Sequence, residues 1–150
     1  MITPAATERV LNLIDEALRT GAAVVAGGTV DGPVVRPTVI TGVSSHSPLV
    51  CEEVFGPVVC VVPVDGVDDA IRQINAVPYG LNVSIFTRDI NKAMAFGRRA
   101  EAGQAIINDS PNFRTENMPY GGVKNSGQGT EGVGYAVAGF TRQKLVVINS

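Results

Sequence analysis

The sequence predicts an α/β fold, and three observations support this prediction. Residues 58–62 form a continuous apolar run, residues 82–87 alternate in polarity, and residues 104–107 form another short apolar run, as β-strands do. A helical pattern lies between each pair of these strands, and the connecting loops are short. This order predicts a βαβαβ parallel-sheet core with right-handed crossovers.

The first helix is predicted near the N-terminus. Thr3 suits the N-cap position, and Pro4 suits the first helical position. Apolar residues then recur at helical spacing: Val10, Leu13, Ile14, Ala17 and Leu18. Gly21 is expected to end this helix as its C-cap.

Two strands are predicted to follow, at residues 22–26 and 34–43. Pro37 cannot donate to a strand ladder, so the second strand should meet an edge or a bulge there. The uninterrupted apolar character of residues 58–62 is typical of a strand buried on both faces.

The two helices of the predicted core have clear boundary signals. Asp65 can cap a helix that ends before Pro78. Asp89 can cap the next helix, and Gly103 is expected to stop it.

Residues 109–132 show neither helical nor strand periodicity. A stretch of this length without regular structure inside a compact domain is uncommon, and it is usually functional or disordered. Phe113, Met118 and Tyr120 give it apolar anchors, so we expect an ordered functional loop. A helix weakened by Gly134 and Gly139 is predicted at residues 133–140.

The chain ends with an apolar stretch at residues 144–148, which is predicted to form a strand. An open apolar edge strand is an aggregation hazard, so either this domain's own sheet or a second chain should cover it. We favour the second chain. The predicted division is therefore residues 1–140 as one domain part and residues 141–150 as an oligomerisation strand.

The composition excludes several classes of protein. A net charge of −2 gives no basic footprint for nucleic acid or anionic membranes. No apolar stretch approaches the length of a membrane span, and the first residues do not read as a signal peptide, so a soluble, cytoplasmic protein is expected. Cys51, Cys60 and His46 form neither a disulfide framework nor a zinc-ligand pattern, and no metal site is predicted.

Two motifs that suggest catalysis or phosphate binding fail for lack of context. Residues 127–132 match G-x-G-x-x-G, but no strand leads directly into them and no acidic residue can follow at the required distance. Cys51 stands beside two glutamates and lacks the cationic surroundings that activate a nucleophilic cysteine. Cys60 lies within an apolar run and is expected in the core.

Glu53 and Phe55 form a more informative pair. Gly56 and Pro57 force a turn before the buried strand, so both side chains are held at the strand's entrance. Taken alone, the pair reads as a surface charge and a core aromatic residue. A fixed carboxylate beside an aromatic ring could also bind the hydroxyls and flat ring of a sugar-bearing cofactor.

Three runs in order resemble the NAD(P)-dependent aldehyde dehydrogenase superfamily: EEVFGPV at residues 52–58, YGL at 79–81 and PYGGVKNSGQGTEG at 119–132. RPT at residues 36–38 and the first helix extend the resemblance over nearly the whole chain. The loop motifs look closest to members that act on lactaldehyde and other small hydroxyaldehydes or semialdehydes.

The resemblance implies roles for five residues. Glu53 would contact the nicotinamide ribose of NAD or NADP, and Phe55 would lie against the nicotinamide. Phe113 and Tyr120 would line the tunnel for a small aldehyde substrate. Glu131 would be a structural residue or a proton relay, and we favour the structural role. The family usually has an arginine before this glutamate, where this chain has Thr130.

The family's thiol nucleophile, general base, oxyanion asparagine and cofactor domain lie upstream of the region that this chain resembles. Two hypotheses follow. The chain is the C-terminal part of an aldehyde dehydrogenase and is inactive alone, because hydride transfer through a thiohemiacetal needs an activated thiolate. Alternatively, it is a short non-catalytic protein that oligomerises through the same surfaces.

Overall fold

A computed structural model describes residues 1–149 of the chain. Two compact units, Met1–Asp65 and Gly66–Ser150, divide the chain and are described separately below. Both units combine helices with short strands, so the predicted α/β class is confirmed.

The first helix, α1, spans Pro4–Arg19 and begins as predicted. The Thr3 hydroxyl accepts a hydrogen bond from the Ala6 amide at 3.1 Å, which satisfies one of the free donors at the helix start. At the other end, Gly21 has φ +104° and its amide donates to the Leu18 carbonyl at 3.1 Å. The C-cap is Thr20, one residue before the predicted Gly21, and the chain leaves the helix through this left-handed glycine.

The N-terminal unit contains one three-stranded sheet and one hairpin. Strand β4 lies in the middle of the sheet, antiparallel to β1 and parallel to β5, while β2 and β3 form the hairpin. The elements after α1 are β1 (Ala23–Ala26), β2 (Val30–Asp31), β3 (Val34–Val35), β4 (Thr38–Thr41), α2 (Pro48–Cys51) and β5 (Val58–Val61). Pro37 separates β3 from β4, which confirms the predicted interruption.

The core of the N-terminal unit lies where α1 packs against this sheet and α2. Its buried residues are Val10, Ile14, Ala17, Val35, Ile40, Val43 and Leu49. Burial of β5 on both faces was a wrong prediction, because Val59 and Val61 are more than half exposed. A continuous apolar run does not reveal that only one face of a strand is covered within its own unit.

The C-terminal unit contains a βαβ motif, in which β7 and β8 pair in parallel and α4 connects them. Its elements are α3 (Gly66–Ala76), β6 (Tyr79–Gly80), β7 (Asn82–Ile85), α4 (Ile90–Arg99), β8 (Gln104–Ile107), β9 (Val123–Lys124) and α5 (Val133–Phe140). The Asp89 carboxylate accepts the Asn91 amide at 2.8 Å, so the predicted cap of α4 is confirmed. Gly103 is not its stop, because the C-cap is Ala100.

A single βαβαβ sheet is not what the strand pairing shows. The three strands occur in the predicted order, but β5 pairs in parallel with β4, while β7 pairs with β8 in a separate ladder. Sequence order fixes neighbours along the chain, whereas ladder partners depend on non-local contacts. Only the second half of the predicted motif is therefore seen as a paired unit.

The predicted C-terminal strand is also absent from the described part of this chain. Residues 141–149 have no regular secondary structure, and Leu145, Val146, Val147 and Ile148 are exposed. A strand needs a partner to satisfy its backbone groups, and residues 1–149 provide none for this segment. Among the described helices, none has the length and apolar character needed to cross a membrane.

Candidate active site

The glycine-rich loop is tied to the C-terminal unit by two short pairings that the sequence did not predict. Strand β9 pairs antiparallel with β6, and Tyr120 forms a separate antiparallel bridge with Glu131. In that bridge the Tyr120 amide donates to the Glu131 carbonyl at 3.1 Å, and the Glu131 amide donates to the Tyr120 carbonyl at 2.6 Å. The two ends of the motif at residues 119–132 therefore lie side by side.

Close backbone approach explains several glycines of this region. A Cβ atom on Gly103 would lie 1.6 Å from the Gly121 carbonyl oxygen. A Cβ atom on Gly121 would lie 2.2 Å from the Gly129 carbonyl oxygen. The loop thus packs backbone against backbone, which only residues without a side chain permit.

Lys124 anchors the loop to the preceding helices. Its ammonium group donates to the carbonyls of Asn75 at 2.8 Å and Val77 at 3.2 Å, and it pairs with the Glu101 carboxylate at 2.8 Å. Nearby, the Ser126 hydroxyl accepts the Gly80 amide at 3.0 Å. The roles of these two residues are not visible in the sequence, because their partners lie 23 to 49 positions away.

Tyr120 and Glu131 also share a contact with Arg114, which sequence reasoning missed. The Arg114 guanidinium lies over the Tyr120 ring, 4.2 Å from its centroid. Its two terminal nitrogens are each 3.4 Å from one Glu131 carboxylate oxygen. Position 130 carries threonine. The guanidinium beside Glu131 belongs to Arg114, which lies 17 residues earlier in the same loop.

Phe113 lies beside a hollow of about 350 Å³ formed with the start of β8 and the segment before Tyr120. Gln104, Ile106, Met118 and Pro119 share in this lining. Phe113 is partly exposed, and its amide donates to the Ser110 carbonyl at 2.9 Å. Phe113, Tyr120 and Glu131 therefore belong to one folded loop of the C-terminal unit.

Glu53 and Phe55 lie in the N-terminal unit, on the segment between α2 and β5. Phe55 has φ +45°, which is uncommon for a bulky residue, and its side chain is 77 % exposed. The interpretation of Phe55 as a core aromatic is therefore wrong. Glu53 is exposed too, and its carboxylate has no partner among the described residues.

Two residues of helix α1 contact the exposed segment between α2 and β5. The Arg9 guanidinium donates to the Val54 carbonyl, between Glu53 and Phe55. Gly56 lies so close to Val10 that a Cβ atom there would be 2.8 Å from a Val10 methyl carbon. The strained backbone at Phe55 is thus held between a charged anchor and a packed glycine, as functional segments often are.

The two cysteines lie in different surroundings. Burial raises the pKa of the Cys60 thiol, which keeps it protonated at neutral pH, and the thiol faces the Leu49 carbonyl at 3.8 Å. Cys60 is only partly buried, yet it packs against the core cluster, close to the expectation for it. The Cys51 thiol donates to the Ser45 carbonyl at 3.1 Å, and within residues 1–149 it has no ion-pair or hydrogen-bond contact with a cationic side chain.

Comparison with known proteins identifies the class. Residues 1–146 match the model of the aldehyde dehydrogenase family. The chain therefore belongs to the aldehyde dehydrogenase family. This finding confirms the resemblance on which the site residues were predicted.

Individual relatives are similar over almost the whole chain. A 3-sulfolactaldehyde dehydrogenase from Priestia aryabhattai is 40 % identical over 99 % of this chain, and a lactaldehyde dehydrogenase from Methanococcus aeolicus is 36 % identical over all of it. The crystal structure of glyceraldehyde-3-phosphate dehydrogenase GapN from Methanocaldococcus jannaschii, complexed with NADP, superposes on 92 % of this chain with a TM-score of 0.85 and 37 % identity. These matches cover 31 %, 32 % and 30 % of the relatives, so the chain spans about a third of their length.

Proposed function

We propose that these residues are the C-terminal part of an enzyme that oxidises a small hydroxyaldehyde or similar semialdehyde to a carboxylate, with NAD or NADP as hydride acceptor. The observation that carries this proposal is the match to the family over residues 1–146, with the motif residues on loops that are held by backbone contacts. The names of the relatives support the hydroxyaldehyde class, since two act on lactaldehyde or its sulfonated analogue.

Glu53 and Phe55 are proposed to hold the cofactor. An exposed, unpaired carboxylate can accept hydrogen bonds from both ribose hydroxyls, and an exposed aromatic face can lie against the flat nicotinamide. The positive φ of Phe55 and the Arg9 bond to the Val54 carbonyl fix how these side chains are presented. When bound, the nicotinamide supplies a hydride acceptor. The residues present fit such a group.

Phe113 and Tyr120 are proposed to form the substrate wall, which orients the aldehyde and excludes water. Glu131 is proposed to be structural, because its backbone bridges Tyr120 and its carboxylate faces Arg114. A proton-relay role is the alternative for Glu131. The thiol that attacks the aldehyde is proposed to lie outside this chain, since Cys60 is kept neutral by burial and Cys51 lacks an activating cation.

The apolar tail is proposed to be a subunit contact. Residues 144–148 are exposed and rich in β-branched and leucine side chains, which suits a strand that completes its ladder with a second copy. The exposed face of β5, with Val59 and Val61, is proposed to be covered in the complete protein as well. A cytoplasmic location stays a prediction.

The isolated chain is expected to show no aldehyde-dependent reduction of NAD or NADP, because it lacks the activated thiolate. The complete polypeptide encoded by the gene is expected to turn over small hydroxyaldehydes, measured by absorbance of the reduced nicotinamide. Turnover by the isolated chain that disappears in Cys51→Ser would contradict the proposal. If no longer polypeptide is encoded and light scattering shows a stable oligomer, the non-catalytic alternative is correct.

Replacement of Glu53 by glutamine tests the cofactor role in the complete enzyme. We expect Glu53→Gln to raise the KM for NAD(P) about tenfold, because a charge-assisted hydrogen bond contributes roughly 1.5–3 kcal/mol and the amide replaces it only in part. Glu52→Gln is the matched control, since it makes the same change one residue away and is expected to leave that KM unchanged. Equal effects of the two variants would show that only the local charge matters.

A further inference from the structure

We propose that Arg114 is a positioning residue that fixes the ring of Tyr120 in the substrate wall and ties it to Glu131. This inference rests on the proposed function, because it assigns a task to a residue next to the proposed aldehyde site. Arg114 itself is not proposed to touch the reacting atoms.

Backbone hydrogen bonds fix the main chain of Tyr120, but they do not fix the orientation of its ring. Two hydrogen bonds to Glu131 hold the main chain on both sides of the bridge. The ring can still rotate about its side-chain torsions, and Tyr120 is only partly buried. The group that lies over the ring is the Arg114 guanidinium, 4.2 Å from its centroid.

Arginine suits this double contact better than any other residue. Its flat guanidinium can stack on an aromatic ring while its in-plane N–H groups donate to a carboxylate. Arg114 makes both contacts, with its terminal nitrogens 3.4 Å from Glu131. Arg114 therefore connects the segment that follows Phe113 with the bridge between Tyr120 and Glu131.

An anion-binding role for Arg114 is the natural competing interpretation, and the local charges oppose it. The adjoining hollow of about 720 Å³ is lined by Arg114 together with the carboxylate-bearing Glu116 and Glu131. These three side chains contribute one positive and two negative formal charges to the lining, which leaves a local surplus of negative charge. An anionic substrate group would be repelled there, and a positioning role fits these charges better.

Kinetics of the complete enzyme separate the two roles. We expect Arg114→Met to lower kcat/KM about tenfold, mainly through KM, equally for a neutral 2-hydroxyaldehyde and for one with a terminal sulfonate. Arg114→Lys is expected to lose about threefold, because lysine keeps the charge over the ring but not the planar fork. In a Tyr120→Leu background, Arg114→Met should cause no further loss, since the ring that it positions is gone.

A loss confined to the sulfonated substrate would overturn the proposal in favour of an anion subsite. A loss that persists unchanged in the Tyr120→Leu background would overturn it as well. Circular dichroism and thermal melting of each variant establish that the fold is retained.

A readout that does not depend on turnover keeps this inference separate from the proposed function. In the 150-residue chain, ring current from Tyr120 should shift the Arg114 side-chain protons upfield in the NMR spectrum. Tyr120→Leu should remove that shift, whereas Tyr135→Leu should leave it unchanged. If the shift is observed but no aldehyde is oxidised by the complete enzyme, the proposed function fails while the placement of Arg114 stands. Absence of the shift would overturn the placement itself.

Discussion

Gly103→Ala is expected to destabilise the C-terminal unit by at least about 3 kcal/mol. The new Cβ atom would lie 1.6 Å from the Gly121 carbonyl oxygen, far inside any allowed contact. That oxygen belongs to the backbone of the glycine-rich loop, so no side-chain rotation can relieve the clash. The loop must therefore move away from β8. Tyr120 and Glu131 either shift together with Gly121 or lose the backbone bridge between them. Chemical denaturation followed by circular dichroism measures the change in free energy of unfolding.

Gly97→Ala is the matched control for this prediction. Gly97 lies inside α4, and a Cβ atom there would have no neighbour within 4 Å. The same substitution should stabilise the chain by roughly 0.5–1 kcal/mol, because alanine loses less conformational entropy in a helix. If both variants unfold at the same denaturant concentration, the packing of the loop against Gly103 is wrong.

Local signals explain what the sequence predicted well. The caps of α1 and α4 are set by Thr3, Pro4 and Asp89, which act within one helical turn of their own positions. The two β-strands of the βαβ motif are likewise visible, because the first alternates in polarity and the second is a short, largely apolar run. These features depend on neighbours that are close in the sequence.

Non-local contacts explain what the sequence did not predict. Strands β6 and β9 have two residues each, too few for any periodicity, and they exist because Tyr79 pairs with Lys124 and Gly80 with Val123, far along the chain. The parallel partner of β5 is β4, which a sequence pattern cannot distinguish from β7. Gly103 resembles a helix stop, yet its real constraint is the carbonyl of a residue in another loop.

The candidate site divides in the same way. The roles of Glu53, Phe55, Phe113, Tyr120 and Glu131 were assigned through motifs. A local signal distinguished only the first two, which the turn at Gly56 and Pro57 places at the entrance of a strand. Arg114 was missed because its partner Glu131 is reached only after the loop folds back over 17 residues. A signal was available in retrospect: Arg114 directly follows Phe113, and a cation beside a predicted substrate aromatic is worth testing as a cation–π partner.

Ile40→Ala is expected to cost about 2–5 kcal/mol of stability in the N-terminal unit. Ile40 is fully buried in the central strand of its sheet, opposite Val24 on β1 and Cys60 on β5. Removing its side-chain methyl and methylene groups leaves a cavity that both flanking strands and α1 would have to close. The free energy of unfolding, measured by urea titration, should fall accordingly.

Val25→Ala serves as the control, since Val25 lies on neighbouring β1 but is 65 % exposed, and its loss should cost less than about 1 kcal/mol.

The core that Ile40 completes also contains Val10, which packs against Gly56 in the segment that presents Glu53 and Phe55. Ile40→Ala should therefore speed amide hydrogen exchange in residues 53–57 as well as in the sheet, because the support of that segment loosens with the core. If exchange rises in the sheet while residues 53–57 stay unchanged, α1 does not transmit the support that presents the proposed cofactor residues.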